Sequence, residues 1–331
     1  MSPAVLIRRL AIAAFALCFG VVVLGAYVRL SAAGLGCPDW PGCYGHLTPS
    51  GAVASGQEIE ADKAWKEMIH RYAAATLGFL IVVIAALSIQ YRKQRVVHPG
   101  FALGLLGLVV LQGIFGMLTV TWQLKPLIVT AHLLMGLATL ALLWWLVLTL
   151  TRRQGGAWKV HDSFVGKPLQ RARRFALYAL LALGLQIALG GWTSSNYAAT
   201  ACPDFPTCQN QWWPETDFKD AFIPWRGLGI NYEGGVLDHP ARIAVHLTHR
   251  LGAVLATLML LLAGITVLRQ PRQVYAHGPS MAMMALLALQ LLLGMFTVLR
   301  GFPLWLATAH NAGAALLLLS VVTLNRALRP V

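Results

Sequence analysis

The chain has 331 residues, of which 57% are hydrophobic and 11% charged, and a formal net charge of +14. A soluble domain carries about a quarter charged residues, so this composition excludes one and points to an integral membrane protein. The positive excess sits in short segments between apolar stretches. There it reports topology and attraction to anionic membrane lipid, and it makes no case for a nucleic-acid partner.

Cutting the sequence at every Asp, Glu, Lys and Arg leaves eight predominantly apolar stretches of 18 residues or more: 10–28, 72–91, 96–124, 126–151, 175–203, 251–268, 273–299 and 301–325. About 20 apolar residues cross a bilayer as a helix. The pattern predicts an all-α integral membrane fold of eight transmembrane helices, arranged as two tandem, pseudo-twofold-related four-helix bundles. The sixth helix is expected to start near Pro240, which places His249 inside it. The start of the chain, with Arg8, Arg9, an apolar run and then Ser31, Ala32 and Ala33, has the outline of a cleaved signal peptide. Against that, Gly25 through Cys37 aligns without a gap to Gly190 through Cys202. A helix that belongs to a repeat is expected to be kept.

The connections after the second, fourth and sixth stretches carry Arg92, Lys93 and Arg95; Arg152, Arg153, Lys159, Lys167, Arg171, Arg173 and Arg174; and Arg269 and Arg272. Arg8, Arg9, Arg326 and Arg329 add to the ends, and among the acids only Asp162 falls on this side. The positive-inside rule makes this face and both termini cytoplasmic.

The chain is written twice. CPDWPGC at 37–43 matches CPDFPTC at 202–208. His70-Arg71 matches His249-Arg250. Leu111-Gln112 with Gly116 matches Leu289-Gln290 with Gly294, and Ala131-His132 matches Ala309-His310. The halves are predicted at 1–155 and 170–331, with a cytoplasmic linker at 156–169. An even number of helices per half makes the repeats parallel, related by an axis along the membrane normal. Two long outer loops, near 30–66 and 195–240, are expected to form a short helix or a cap.

Of five cysteines, Cys18 lies within the first helix and reads as a packing residue. The other four form two outer C-x5-C loops. The pairs Cys37–Cys43 and Cys202–Cys208 read first as structural disulfides, each closing a ring worth about 2–3 kcal/mol. A redox-active pair is the sharper alternative. Zinc is discounted, because the spacing is unusual for that metal and prolines flank the ligands.

His46, His98, His161, His239 and His277 fall in loops or at helix ends. His70, His132, His249 and His310 instead fall on alternate helices, all near the outer end. A lone intramembrane imidazole is usually an interhelical hydrogen-bond donor or a proton relay. Four at one depth, in two matching pairs, point to two bis-histidine haem sites, with the four as axial iron ligands. Ala73, Ala74, Ala75, Gly136, Gly252, Ala253 and Gly313 nearby leave room for a porphyrin. Arg71 and Arg250 are candidates to pair with haem propionates, or to snorkel to the headgroups. Glu67 lies one turn before His70 on the same face, and its counterpart is His246. A carboxylate beside one site only suggests that the first half does acid–base chemistry.

These residues together resemble the haem A synthase family, of the bacterial type with cysteine pairs in both outer loops. The resemblance covers nearly the whole chain. It implies oxidation of the C8 methyl of haem O, the substrate, to the formyl group of haem A, the product, by two successive hydroxylations and loss of water from the geminal diol. It implies that His249 and His310 hold a permanent haem b that relays electrons. His70 and His132 would hold the substrate porphyrin, with Glu67 beside the reacting edge. It further implies a bacterial plasma membrane location and a partner, the haem O synthase (protohaem farnesyltransferase), besides an electron carrier the sequence does not identify. A homo-oligomer is compatible with the sequence. The alternatives are a dihaem quinol-oxidising cytochrome b, which leaves the single carboxylate unexplained, and a quinone-linked disulfide oxidoreductase, which leaves the histidines idle. A structural or assembly protein with packing histidines is a third.

Overall fold

A computed structural model describes residues 2–153, 167–270 and 276–329. Among the described residues there are eight helices long and apolar enough to cross a membrane, and no β-strand. They are α1 (Pro3–Leu30), α2 (Ala61–Gln90), α3 (Pro99–Thr121), α4 (Pro126–Arg153), α5 (Lys167–Ser195), α6 (His239–Leu268), α7 (His277–Leu299) and α8 (Leu304–Ala327). The chain is thus a multi-pass membrane protein. Lys159, His161, Asp162, Arg272 and most of the predicted linker, 156–166, lie outside the described residues.

Several helices begin earlier than the uncharged stretches. α2 starts at Ala61 rather than 72, because its charged first turns pair with one another: Lys63 with Glu60 at 2.8 Å and Lys66 with Asp62 at 2.6 Å. α5 likewise runs back through Arg171, Arg173 and Arg174. A 30-residue helix is about 45 Å long, which exceeds the hydrocarbon core and carries its charged ends into the headgroups. α6 starts where expected: Asp238 caps the N–H of Ala241 at 3.1 Å, and Pro240 occupies the first turn.

The helices pack in two rings. α1 touches α2 and α4, and α3 touches α2 and α4; α5 touches α6 and α8, and α7 touches α6 and α8. The rings meet where α4 meets α5 and α8, and where α1 meets α8. Polar contacts at this seam include Trp144 Nε1–H to Thr323 Oγ1 at 2.8 Å and Arg29 to the Ser194 carbonyl at 2.9 Å.

The largest close-packed core lies away from the cysteine loops, and smaller clusters pack beneath them, Ala64 and Met68 in the first half and Ile243 and Leu247 in the second. Ile7, Ala11, Ala14 and Cys18 of α1 pack with Leu77, Ile81 and Ile84 of α2, Leu105 of α3 and Leu140 and Leu143 of α4. Leu169, Ala176, Leu183, Leu260, Met283 and Leu317 do the same in the second ring. Most lie toward the basic ends of their helices. Around the level of the histidines, residues 21–27, 131–136 and 307–312 are only partly buried.

The outer loops hold the short helices Pro49–Ala54 and Phe218–Ala221, as the sequence suggested. The second loop also crosses to the first ring. The N–H of Tyr232 donates to the Gln123 carbonyl at 3.0 Å, and Trp225 meets Trp122 edge-on at 5.6 Å. Lys125 is 1% exposed; its ammonium donates to the Gly227 carbonyl and lies 3.1 Å from the centre of the Trp225 ring. Lys125→Ala is expected to free this crossing. A cation–π contact out of water is worth about 2 kcal/mol, so cleavage near 225–232 in limited proteolysis should rise severalfold. An unchanged digestion pattern would show that the lysine does not hold the loop.

Candidate functional site: two histidine stations beneath two cysteine loops

His70 and His249 lie on α2 and α6, and His132 and His310 on α4 and α8. Each is about two to three turns, or about 9–15 Å, inside the loop-side start of its helix. His70 is within electrostatic reach of His132, and His249 of His310. The structure therefore brings together the pairs that the repeat predicted.

Each ring leans on a glycine of the preceding helix. A Cβ built at Gly25 would come 2.8 Å from Cε1 of His70. At Gly116 it would be 3.1 Å from Cε1 of His132, at Gly190 3.1 Å from Cε1 of His249, and at Gly294 3.0 Å from Cε1 of His310. At Gly25 the distance is shorter than a real Cβ contact, and at the other three a Cβ would push the ring aside by a few tenths of an ångström, so glycine suits the ring in this pose. The same atom meets a glycine four times, so the four imidazoles share one orientation. The sequence showed Gly116, Gly294 and the match of Gly25 to Gly190, but nothing local tied them to histidines on other helices. Four glycines, each on the helix before a histidine helix, were the available signal.

These residues fit a haem. The donors are facing imidazoles on a four-helix ring, the ligand set of bis-histidine sites. The glycine seats bring the rings flush against the helices, and the segments around them, 21–27, 131–136 and 307–312, are only partly buried. His70, His132, His249 and His310 would hold the irons.

Above each site stands a cysteine loop closed by a disulfide, Cys37–Cys43 in one half and Cys202–Cys208 in the other. In each, an aspartate organises the turn. Asp39 accepts from the N–H groups of Tyr44 at 2.6 Å and Gly45 at 2.8 Å; Asp204 accepts from Gln209 at 2.5 Å and Asn210 at 3.0 Å. Burial pushes the Asp39 carboxyl up, but the Gly45 and Tyr44 donors and the Arg71 charge outweigh it and leave it below the usual range.

Arg71 and Arg250 reach up into these loops. Arg71 donates to the carbonyls of Gly42 at 2.6 Å, Asp39 at 2.8 Å and Cys37 at 3.1 Å. Arg250 donates to Thr207 at 2.7 Å, Asp204 at 2.7 Å and Cys202 at 3.1 Å. A guanidinium fork suits such a ring of carbonyls. The loop contact was invisible in sequence, because the acceptors are main-chain atoms about 30–45 residues away.

The two halves part at Glu67. It is 4% exposed, accepts from the Cys37 N–H at 2.9 Å and pairs with Arg71 at 2.5 Å. Neither Lys63 nor Lys66 is its partner. Its counterpart His246 is equally buried and meets the Phe302 ring edge-on at 6.5 Å. The first station alone thus has a buried carboxylate, tied to both the disulfide loop and the histidine helix.

Other histidines take structural places. His46 meets Ser55 at 3.0 Å, His98 caps the Gly100 N–H at 3.2 Å, and His239 contacts Gln209. His277 lies 3.3 Å from the Leu268 carbonyl, and Cys18 is packed in the core.

The profile of the COX15-CtaA family, described as cytochrome oxidase assembly protein, matches residues 8–322. A protein of Shewanella oneidensis named heme A synthase is 43% identical over 92% of this chain and 91% of its own length. Proteins of the same name from Rhizorhabdus wittichii and Caulobacter vibrioides are 26% and 28% identical, each over 92% of this chain and over 89% and 90% of their own lengths. With a profile that spans nearly the whole sequence, and helices, paired histidines and cysteine loops in the same order in both halves, the chain belongs to the COX15-CtaA family of cytochrome oxidase assembly proteins.

Proposed function

We propose that this chain is a haem A synthase that oxidises the C8 methyl of haem O to a formyl group through successive hydroxylations. The observation that carries the reading is the asymmetry between two otherwise matched stations: both have a histidine pair on glycine seats, and only the first has a buried carboxylate. His249 and His310 would hold a resident haem b, which would supply one-electron transfer. His70 and His132 would hold the substrate porphyrin. Glu67 would be kept beside it by the Cys37 N–H and Arg71, and would accept a proton as the methyl carbon gives up electrons to an external oxidant. Fixing that carboxylate in advance avoids the cost of orienting it during the reaction.

Arg71 and Arg250 tie down the loops and place positive charge at the rim where porphyrin carboxylates would lie. The two disulfides rigidify the covers over the sites. In this reading 1–155 is the catalytic half and 170–331 the electron-carrying half. The basic face and both termini are cytoplasmic in a bacterial plasma membrane, and the sites lie near the outer face. A farnesylated, nearly insoluble substrate favours direct transfer from a haem O synthase or lateral access from lipid.

The test is haem extraction and chromatography. The full chain is expressed with a haem O synthase in a host that makes no haem A, beside its His70→Ala variant. Haem A is expected in the parent only. Haem b without haem A in both would identify an electron-transfer cytochrome and overturn the synthase.

A further inference from the structure

The four histidine seats, two in each station, differ in one respect not used above. Four residues before the seat glycine stand Gln112, Gln186 and Gln290 at three seats, and Val21 at the seat of His70. In the second half both amides hold the ligand helix. Gln186 Nε2–H donates to the His249 carbonyl at 3.0 Å and lies 3.1 Å from its Nδ1. Gln290 Nε2–H donates to the His310 carbonyl at 3.1 Å and lies 3.4 Å from a ring nitrogen.

The amide nitrogens of Gln186 and Gln290 face the histidines, and their oxygens face Gly252 and Gly313. The amide oxygens of Gln112, Gln186 and Gln290 are buried with no hydrogen-bond partner, and so is Nδ1 of His70, His132 and His310. An imidazole that binds iron through one nitrogen carries its proton on the other. A hydrogen bond from that N–H fixes the ring and raises its basicity toward the metal. Gln186 and Gln290 act one step back, through the amide N–H that each donates to the histidine's own carbonyl, which holds the ring in place; a valine has no such donor. The main-chain carbonyls of Val21, Gln112 and Gln290 also draw on the rings of His70, His132 and His310, at longer reach. A backbone acceptor is therefore available at all three, and the side-chain amide is what His70 lacks.

We propose that these glutamines are positioning residues that lock the axial imidazoles, and that Val21 makes His70 the releasable ligand. The first station then exchanges its porphyrin while the second keeps its own. This rests on the function proposed above, in which one porphyrin is resident and the other passes through.

The experiment measures haem transfer from the purified, haemin-loaded full chain to excess apomyoglobin, with electron paramagnetic resonance of the ferric low-spin signals. The parent should release haemin in two phases. The fast phase should vanish in His132→Ala and the slow one in His310→Ala. Gln186→Met and Gln290→Met keep the volume and remove the amide. Each should quicken the slow phase about 10- to 100-fold and shift its low-spin g values. Val21→Gln should slow the fast phase by a similar factor. If the Val21 variant does not fold, the two Met variants decide the matter. Two phases with rates and g values unchanged in the Met variants would overturn the proposal and leave the two-site reading standing. A parent that binds no haemin would overturn both.

Discussion

His249→Ala or His310→Ala is expected to strip the resident haem from the purified protein. In the proposed function each variant deletes one of two iron ligands, and the remaining imidazole cannot supply the missing bond. Haem b per protein, measured as the pyridine haemochrome, should fall by about tenfold or more, and the bis-histidine low-spin signal should disappear. The fold should survive, because the largest packed core lies mostly toward the basic ends of the helices and contains neither histidine. The seat glycines, Gly190 and Gly294, face no new clash when the ring is removed. His70→Ala should leave most of this haem in place, since it acts on the other ring of helices. Full retention of the haem spectrum in His310→Ala would remove that residue from the ligand set.

Glu67→Gln is expected to stop conversion while the protein stays folded. The amide has the shape of the carboxylate and can still accept from the Cys37 N–H, but it cannot take up a proton. Loss of a positioned general base typically costs about 10²–10⁴-fold in rate. Extracted haem should then contain haem O or a hydroxylated intermediate, with haem A reduced to a trace. Glu67→Ala should behave differently. It removes the acceptor oxygens as well as the charge, leaving both the Cys37 N–H and the Arg71 guanidinium without that partner, and breaking a buried pair in this way costs about 3 kcal/mol or more. Arg71 keeps its carbonyl partners, so the damage should be local to the cysteine loop. Normal haem A from Glu67→Gln would exclude the carboxylate from the chemistry and leave it the role of holding the loop.

Much of this was legible in the chain itself. Eight spans follow from the length of the apolar runs, because a bilayer admits nothing shorter as a crossing helix. The pairing of histidines followed from the repeat. Boundaries were less legible. Cutting at charges shortens any helix whose end extends into the headgroups, as at Asp62, Lys63 and Lys66 of α2, where the charges neutralise one another along the helix. The direction taken by Arg71 and Arg250 was not legible either. A cation beside a presumed haem ligand suggests a propionate, and the main-chain carbonyls it reaches have no sequence signature.

Lys125 shows the same limit from the other side. In sequence it is a lone charge between two apolar runs, where a solvated lysine is the ordinary expectation. It is buried because a loop from the other half lays Trp225 and Gly227 over it. The sequence by itself determined the membrane class, the number of spans, the duplication and the residues capable of binding iron. Those properties are local or repeated, and composition and spacing record them. The tertiary structure alone decided which glycine seats which imidazole, where the buried cations point, and how a loop of one half covers the other. Those depend on contacts between residues far apart in the chain, and only packing in three dimensions brings them together.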